Sequence, residues 1–213
     1  MRLSRTHFPV TALGPGQRFG LWFQGCTIGC AGCVSVDTWN SKAGVESTAD
    51  QVIEELASYP DVEGLTISGG EPLEQLDELV ELLHAVRDVA PHLDVLVYTG
   101  YPEADLHSPR FDEVKSLVDA IIAGPFDSRT ADSEHWRGSS NQSLLITSER
   151  GRDVILPWVT SPTVAHQLQV GMEEDRVWII GIPRRGDLPR LARRLRAANI
   201  DVSEAAWQRS TVQ

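Results

Sequence analysis

The stretch LDVLVYTG, residues 93–100, is apolar at almost every position. A half-exposed strand alternates apolar and polar residues, whereas a run like this one needs cover on both faces. RFGLWFQG (18–25), GLTISGG (64–70) and AIIAGPF (120–126) are similar in character. Helical patterns separate these runs. STADQVIEELASYP places Thr48 and Gln51 as a capping box. Between Glu74 and Ala90, Leu76, Leu79, Val80, Leu83 and Val86 recur at spacings of three and four, which is one face of a helix. Phe111–Val118 reads as a short helix. The order βαβαβαβ predicts an α/β protein with a parallel sheet, outer helices and right-handed connections. Beyond it, SRTADSEHWRGSSNQ reads as a polar loop, and QSLLITSE (142–149) and DRVWIIGIP (175–183) as further strands. Leu188, Leu191, Leu195 and Ala198 mark a last helix, with Pro189 tolerable in its first turn. Residues 151–174 carry no clear pattern.

The length of 213 residues suits one domain, with a core over about 14–150 and an extension over about 151–213 that adds a strand and a helix. A net charge of -11 argues against a general nucleic-acid binder, because phosphate repels such a surface. No apolar run is long enough to span a membrane. The start, MRLSRTHFPV, has no apolar signal-peptide core, so the expected location is the cytoplasm. One stretch opposes the acidic trend: Arg184, Arg185, Arg190, Arg193, Arg194 and Arg196. It reads either as a solvated helix face or as a docking surface for an acidic partner.

Every cysteine lies in CTIGCAGC, at Cys26, Cys30 and Cys33. Ligands of a parallel α/β sheet sit beyond the carboxyl ends of its strands, and Cys26 directly follows the first one. Gly29 and Gly32 let the loop curl so that sulfurs converge. Three readings compete. Structural zinc wants four closed ligands and would need a histidine, of which His7 is nearest in sequence. Three unrelated buried cysteines fit the tight clustering poorly. An iron–sulfur cluster takes thiolates, and three of them leave one iron of a four-iron cluster open.

SGGEP, Ser68 to Pro72, ends the second strand. Ser68, Gly69 and Gly70 expose backbone to a ligand, and Glu71 puts a carboxylate at the same rim. An ordinary βα turn, with Glu71 favourable near a helix N-terminus, is the plainer alternative.

With both motifs in view, the chain resembles the radical S-adenosylmethionine enzymes. CTIGCAGC matches their three-cysteine motif and SGGEP their second motif. Within that superfamily, GPGQRFGLWFQGC (14–26), GLTISGGEPL (64–73), YTGY (98–101), AGPF (123–126) and WRGSSNQ (136–142) resemble, in order, the activating proteins of anaerobic ribonucleotide reductase. The resemblance implies a partial (β/α)6 barrel of parallel strands and outer helices. It implies a [4Fe-4S] cluster on Cys26, Cys30 and Cys33, with S-adenosyl-L-methionine on the open iron. Ser68, Gly69, Gly70 and Glu71 would hold the methionine amino end; Thr99, with Gly100 at the end of the third strand, reads either as lining the cofactor ribose or as a simple strand-end turn. Arg137, Ser139 and Asn141 would contact the cofactor carboxylate or the substrate chain. A flavodoxin- or ferredoxin-type donor would supply an electron, and a glycyl radical enzyme would be the partner.

The sequence departs from that pattern in places. Ala123 stands before the GPF element, where an acidic residue is expected. Val34 and Ser35 replace an aromatic residue and an asparagine after Cys33. Some 60 residues follow WRGSSNQ. These departures keep two alternatives open: a radical enzyme acting on a peptide or small molecule, and a non-catalytic metal-binding or electron-transfer protein. Trp22, Trp39, Trp136 and Trp178 read as packing residues. His84, Asp94 and Asp119 read as structural.

Overall fold

The computed structural model describes residues 1–130, 135–160, 168–173, 176–184 and 186–200. The strands are β1 (Arg2–Val10), β2 (Arg18–Phe23), β3 (Val45–Glu46), β4 (Gly64–Gly69), β5 (Asp94–Thr99), β6 (Ala120–Ala123), β7 (Ser143–Ile146), β8 (Leu168–Glu173) and β9 (Arg176–Gly181). The helices are α1 (Ala49–Ala57), α2 (Leu76–Val89), α3 (Asp112–Leu117), α4 (Glu149–Val154), α5 (Leu156–Thr160) and α6 (Asp187–Ala197). The main sheet has the order β3-β1-β2-β4-β5-β6-β7. Its centre, β2-β4-β5-β6, is parallel, as the alternation of apolar runs and helices predicts. Both flanks are antiparallel: β1 pairs with β2 and with β3, and β7 pairs with β6. The protein is therefore a mixed α/β fold with a largely parallel central sheet.

Alternation along the parallel strands sends side chains to two opposite cores. Phe19, Leu21, Phe23, Leu65, Ile67, Val95, Val97 and Ile121 face one side, where they pack with Val52, Leu79, Leu83, Val86 and Val114 from α1, α2 and α3. Thr48 and Gln51 form the expected capping box on α1. The opposite side, here the inner face, carries Trp22, Leu96, Tyr98 and Ile122. It is covered by Trp136, Ile155 and Val159, and by Trp178, Ile180 and Ile182 around β9. Central strands apolar on both faces thus find cover on both.

A charged pair is buried at the amino ends of these strands. Arg18 has no exposed surface and Asp94 has 2%. The Arg18 guanidinium donates to both Asp94 carboxylate oxygens, at 2.6 and 3.1 Å. It also donates to the Thr66 hydroxyl at 2.6 Å and the Leu65 carbonyl at 2.7 Å. A Cβ on Gly64 would collide with the guanidinium, so the strand gives up a side chain there to make room. Asp119 plays a similar part further along. It accepts from Val95 N–H at 2.8 Å and from Arg87 at 2.7 Å. Asp94 and Asp119 are structural, as the sequence suggests. His84 makes an exposed contact with Glu113.

The extension differs from the sequence expectation. Residues 151–174, without pattern in the sequence, include the rest of α4, then α5 and β8; residues 161–167 and 174 lie outside the described part. The predicted strand at 175–183 is β9, with residue 175 outside the described part, and it pairs only with β8 as a separate antiparallel hairpin. The last helix forms as expected, with Pro189 in its first turn. Arg184, Arg190, Arg193, Arg194 and Arg196 are exposed, and Arg185 lies outside the described residues. Part of the predicted loop before WRGSSNQ, residues 131–134, also lies outside them.

Arg18→Met leaves the Asp94 carboxylate buried without its cation. We expect urea unfolding of this variant to show a loss of about 3–5 kcal/mol. The double variant Arg18→Met/Asp94→Leu, which removes both charges, should recover most of that loss.

Candidate cluster-binding site

The carboxyl ends of β2, β4 and β5 converge on one rim. The loop after β2 and the turn after β4 are locked together through their backbones. Gly70 N–H donates to the Phe23 carbonyl at 2.8 Å, and Glu71 N–H donates to the Gly25 carbonyl at 2.8 Å. A Cβ on Gly70 would fall onto the Gly25 carbonyl oxygen. Gly69 has φ +111°, and a Cβ there would strike the Phe23 backbone. Both glycines of SGGEP are therefore required for the two strand ends to approach.

The cysteine loop is anchored from several sides. Gly25 N–H donates to the Thr38 carbonyl at 2.7 Å and Cys26 N–H to the Trp39 carbonyl at 3.2 Å. The Thr27 N–H and hydroxyl both donate to Glu74 Oε1. The Gln75 side chain donates to the Gln24 carbonyl at 2.9 Å. Ile28 lies against Gly100, where a Cβ would meet its side chain at 2.5 Å. Gly29 and Gly32 take φ of +62° and +82°, the left-handed turns expected of them.

The three thiols are free and half-buried. Burial pushes the pKa of each one up. N–H donors surround the sulfurs and oppose that shift. They come from Gly29 and Ile28 to Cys26, from Phe126 to Cys30, and from Ser35 and the Trp39 side chain to Cys33. The Ser35 contact is 3.4 Å. Donors of this kind stabilise thiolates and their metal complexes. Trp39, read from sequence as packing, is thus a sulfur contact.

The thiols suit a multi-iron cluster better than a single zinc ion. Zinc needs every ligand about 2.3 Å or less from one point. Among the described residues, no three His, Cys, Asp or Glu side chains are gathered that closely. His7, the candidate fourth ligand, pairs with Gly20 in the middle of β2 and stacks on Trp178 at 4.2 Å. It sits three strand residues, about 10 Å, short of the end of β2. Three soft sulfurs on one loop, with no fourth protein ligand beside them among the described residues, fit a cluster with one open iron.

Glu71 braces the rim. It is 1% exposed. Its carboxylate accepts from Leu73 N–H at 2.9 Å, the Thr99 hydroxyl at 2.8 Å and Gly100 N–H at 2.7 Å. Burial raises its pKa from 4.5 to about 7, against the pull of those three donors. Thr99 is likewise turned toward Glu71, and Ser68 points to the inner face. Glu71 and Thr99 are thus buttresses that join the ends of β4 and β5.

WRGSSNQ lies on a different side. The Ser139 hydroxyl accepts from Asp127 N–H at 3.1 Å. The Asn141 amide donates to the Pro125 carbonyl at 2.7 Å. Arg137 donates to the Gln142 carbonyl at 3.0 Å. Gln142, which sequence reading did not single out, ties both ends of the turn. It donates to the Gly124 carbonyl at 2.8 Å and accepts from Gly138 N–H at 2.7 Å. These residues hold segment 124–127, and that segment meets the cysteine loop through Phe126. Thr27, Glu74 and Gln75 were also not singled out; only their place beside the two motifs could have pointed to them.

Fold and site together define an α/β protein whose parallel strand ends carry a three-thiol loop. Residues 12–145 match the model of a family described as a 4Fe-4S single cluster domain. The chain belongs to this family. It is similar to proteins named anaerobic ribonucleoside-triphosphate reductase-activating protein. With that of Enterobacteria phage T4 it is 36% identical over 141 residues, 62% of this chain and 85% of the relative. With that of Escherichia coli K12 it is 33% identical over 144 residues, 64% and 93%. With that of Haemophilus influenzae Rd it is 34% identical over 146 residues, 65% and 94%.

Two outcomes check this geometry. Gly70→Ala should lower both cluster loading and stability, the latter by about 1–3 kcal/mol. Gly29→Ala meets no neighbour within 4 Å and should cost only about 1 kcal/mol, from its backbone conformation. Glu71 should make the unloaded protein less stable as pH rises. Its folded pKa lies above its unfolded value, so the native state holds the extra proton between about 4.5 and 7. That contribution, about 3 kcal/mol at most, is present at low pH and lost as pH rises through 7. Urea unfolding between pH 5 and 7.5 should show this slope in the wild type and a flatter one in Glu71→Gln.

Proposed function

We propose that this chain is a radical S-adenosylmethionine enzyme that installs a glycyl radical on a partner of the anaerobic ribonucleotide reductase type. The observation that carries the reading is the backbone lock between CTIGCAGC and SGGEP, which puts three thiols and an exposed strand-end backbone at one rim. Cys26, Cys30 and Cys33 hold the [4Fe-4S] cluster. Together with bound S-adenosyl-L-methionine, the cluster would supply one-electron reductive cleavage of the cofactor and, from it, hydrogen-atom abstraction from a glycine Cα.

The chain's own residues shape and seal that site. The N–H groups around the sulfurs stabilise the thiolates. Ser68, Gly69 and Gly70 offer hydroxyl and backbone to the amino end of the cofactor, while Glu71 and Thr99 hold them in register. Arg137, Ser139 and Asn141 set segment 124–127 and, through it, the carboxylate side. In this reading the sheet is the wall of a partial (β/α)6 barrel within a single domain, 1–213. A flavodoxin- or ferredoxin-type protein supplies the electron, and the protein works in the cytoplasm. Among the described residues no helix is long and apolar enough to cross a membrane.

A second reading has the same cleavage acting on a peptide or small molecule. It is favoured by Ala123 and by the chain beyond residue 145, where the family match ends. Protein reconstituted with iron and sulfide without oxygen, then given dithionite and S-adenosyl-L-methionine, should release 5′-deoxyadenosine. With the anaerobic ribonucleotide reductase of its source organism it should give a glycyl radical signal in electron paramagnetic resonance. Cleavage without that signal would favour the second reading. Cys30→Ala should lose iron and cleavage yet keep the wild-type circular dichroism spectrum. A mononuclear zinc centre would overturn both readings.

A further inference from the structure

Strand register lines up one row of side chains across the inner face, just below the rim. Trp22 pairs with Ser68, Ser68 falls beside Tyr98, and Tyr98 pairs with Ile122. Trp22, Ile122, Trp136, Trp178 and Ile180 make this an apolar surface. It holds one buried polar group with no protein partner among the described residues. The Tyr98 hydroxyl has essentially no accessible surface and no hydrogen bond. A buried hydroxyl left unpaired costs about 1–3 kcal/mol. A buried, unpaired hydroxyl in this row, directly under the rim, points to an absent acceptor.

The chemistry of the row restricts that acceptor. A charged group would be poorly solvated among three tryptophans and two isoleucines. The charged pair nearby, Arg18–Asp94, is already satisfied one end of the sheet away. Burial keeps the Tyr98 phenol protonated, so it acts as a donor. A neutral oxygen on an extended chain fits this donor, and a polypeptide carbonyl is such an oxygen.

We propose that Tyr98 is a substrate-binding residue, whose hydroxyl donates to a main-chain carbonyl of the partner's glycine-bearing segment lying along the inner face. The inference rests on the functional reading above and names how that site recognises its protein substrate. In the unengaged chain, the hairpin β8–β9 covers this row through Trp178, Ile180 and Ile182. The Gln169 side chain ties it to the body, donating to the Pro9 carbonyl and accepting from Thr11 N–H. Those bonds lie at the Val10–Arg18 end of the sheet, away from the rim. The segment reaches Tyr98 by displacing β9 from the upper row. This cover lies beyond residues 12–145, the part that matches the family model.

The test is Tyr98→Phe in the full-length, cluster-loaded enzyme, with the anaerobic ribonucleotide reductase of the source organism as substrate and the glycyl radical signal as readout. The KM for that partner should rise about tenfold, as expected for one lost hydrogen bond that leaves its acceptor unpaired. The urea midpoint of the unloaded variant should equal or exceed that of the wild type, because an unpaired hydroxyl has been removed. An unchanged KM would overturn the proposal. So would a lowered midpoint, which marks a structural hydroxyl. So would an equal weakening of S-adenosyl-L-methionine binding in equilibrium dialysis, which assigns the acceptor to the cofactor. If the wild-type enzyme itself gives no glycyl radical, it is the functional reading that fails.

Discussion

The site depends on how closely two strand ends can approach. Parallel strands lie about 4.8 Å apart, which leaves no space for a side chain where the chain after one strand crosses the end of the next. Gly70 supplies that crossing, and its neighbour Glu71 donates its N–H to the Gly25 carbonyl. Cys26 follows at once, so the position of the first thiol is fixed by backbone hydrogen bonds. The preference of a glycine-rich turn after β4 is thus steric before it is chemical. Any ligand contact it makes is an additional use of backbone exposed for packing reasons.

The same sheet divides its labour by face and by end. Odd-numbered positions of β2, β4, β5 and β6 feed the helix-covered core, and that core carries most of the apolar burial. The other face is graded along its length. A saturated ion pair, Arg18–Asp94, closes the amino ends, apolar residues fill the middle, and the buried Tyr98 hydroxyl, unpaired among the described residues, lies near the carboxyl ends. Stability is concentrated at the end where nothing needs to bind. Breaking that ion pair would uncover a buried charge, whereas the other end is closed by apolar packing.

Much of this was legible in the sequence, for identifiable reasons. β2, β4, β5 and β6 are buried on both faces, so they appear as apolar runs that no exposed segment imitates. The α1 cap and the α2 stripe depend only on local spacing. β1 was missed because RLSRTHFPV is half-buried and broken by charged residues, and its place in the sheet rests on pairing with β2. β3 is two exposed residues whose pairing with β1 is non-local. The direction of β7 is also non-local, because a strand reads alike in either orientation. Arg18 sits in an apolar run and looks like the edge of a strand; only the fold brings it to Asp94, 76 residues on. Trp39 was taken for packing because indoles usually pack, and its contact with Cys33 depends on the turn at Val36–Thr38.

The place of WRGSSNQ follows from the same mechanics. It lies more than 100 residues after the cysteines, and its polar side chains look like ligand contacts. In the fold, Ser139, Asn141 and Gln142 are engaged with the backbone of residues 124–127. That segment ends β6 and presents Phe126 and Ser128 to the cysteine loop, where a Cβ on Gly32 would meet Ser128 at 3.1 Å. The loop is therefore held on three sides: by the β4 turn and Glu74, by Ile28 against Gly100 at the end of β5, and by the β6 turn that WRGSSNQ fastens. A short loop carrying three buried thiols has little cohesion of its own. Held by three successive strand ends, it keeps a fixed place at the rim.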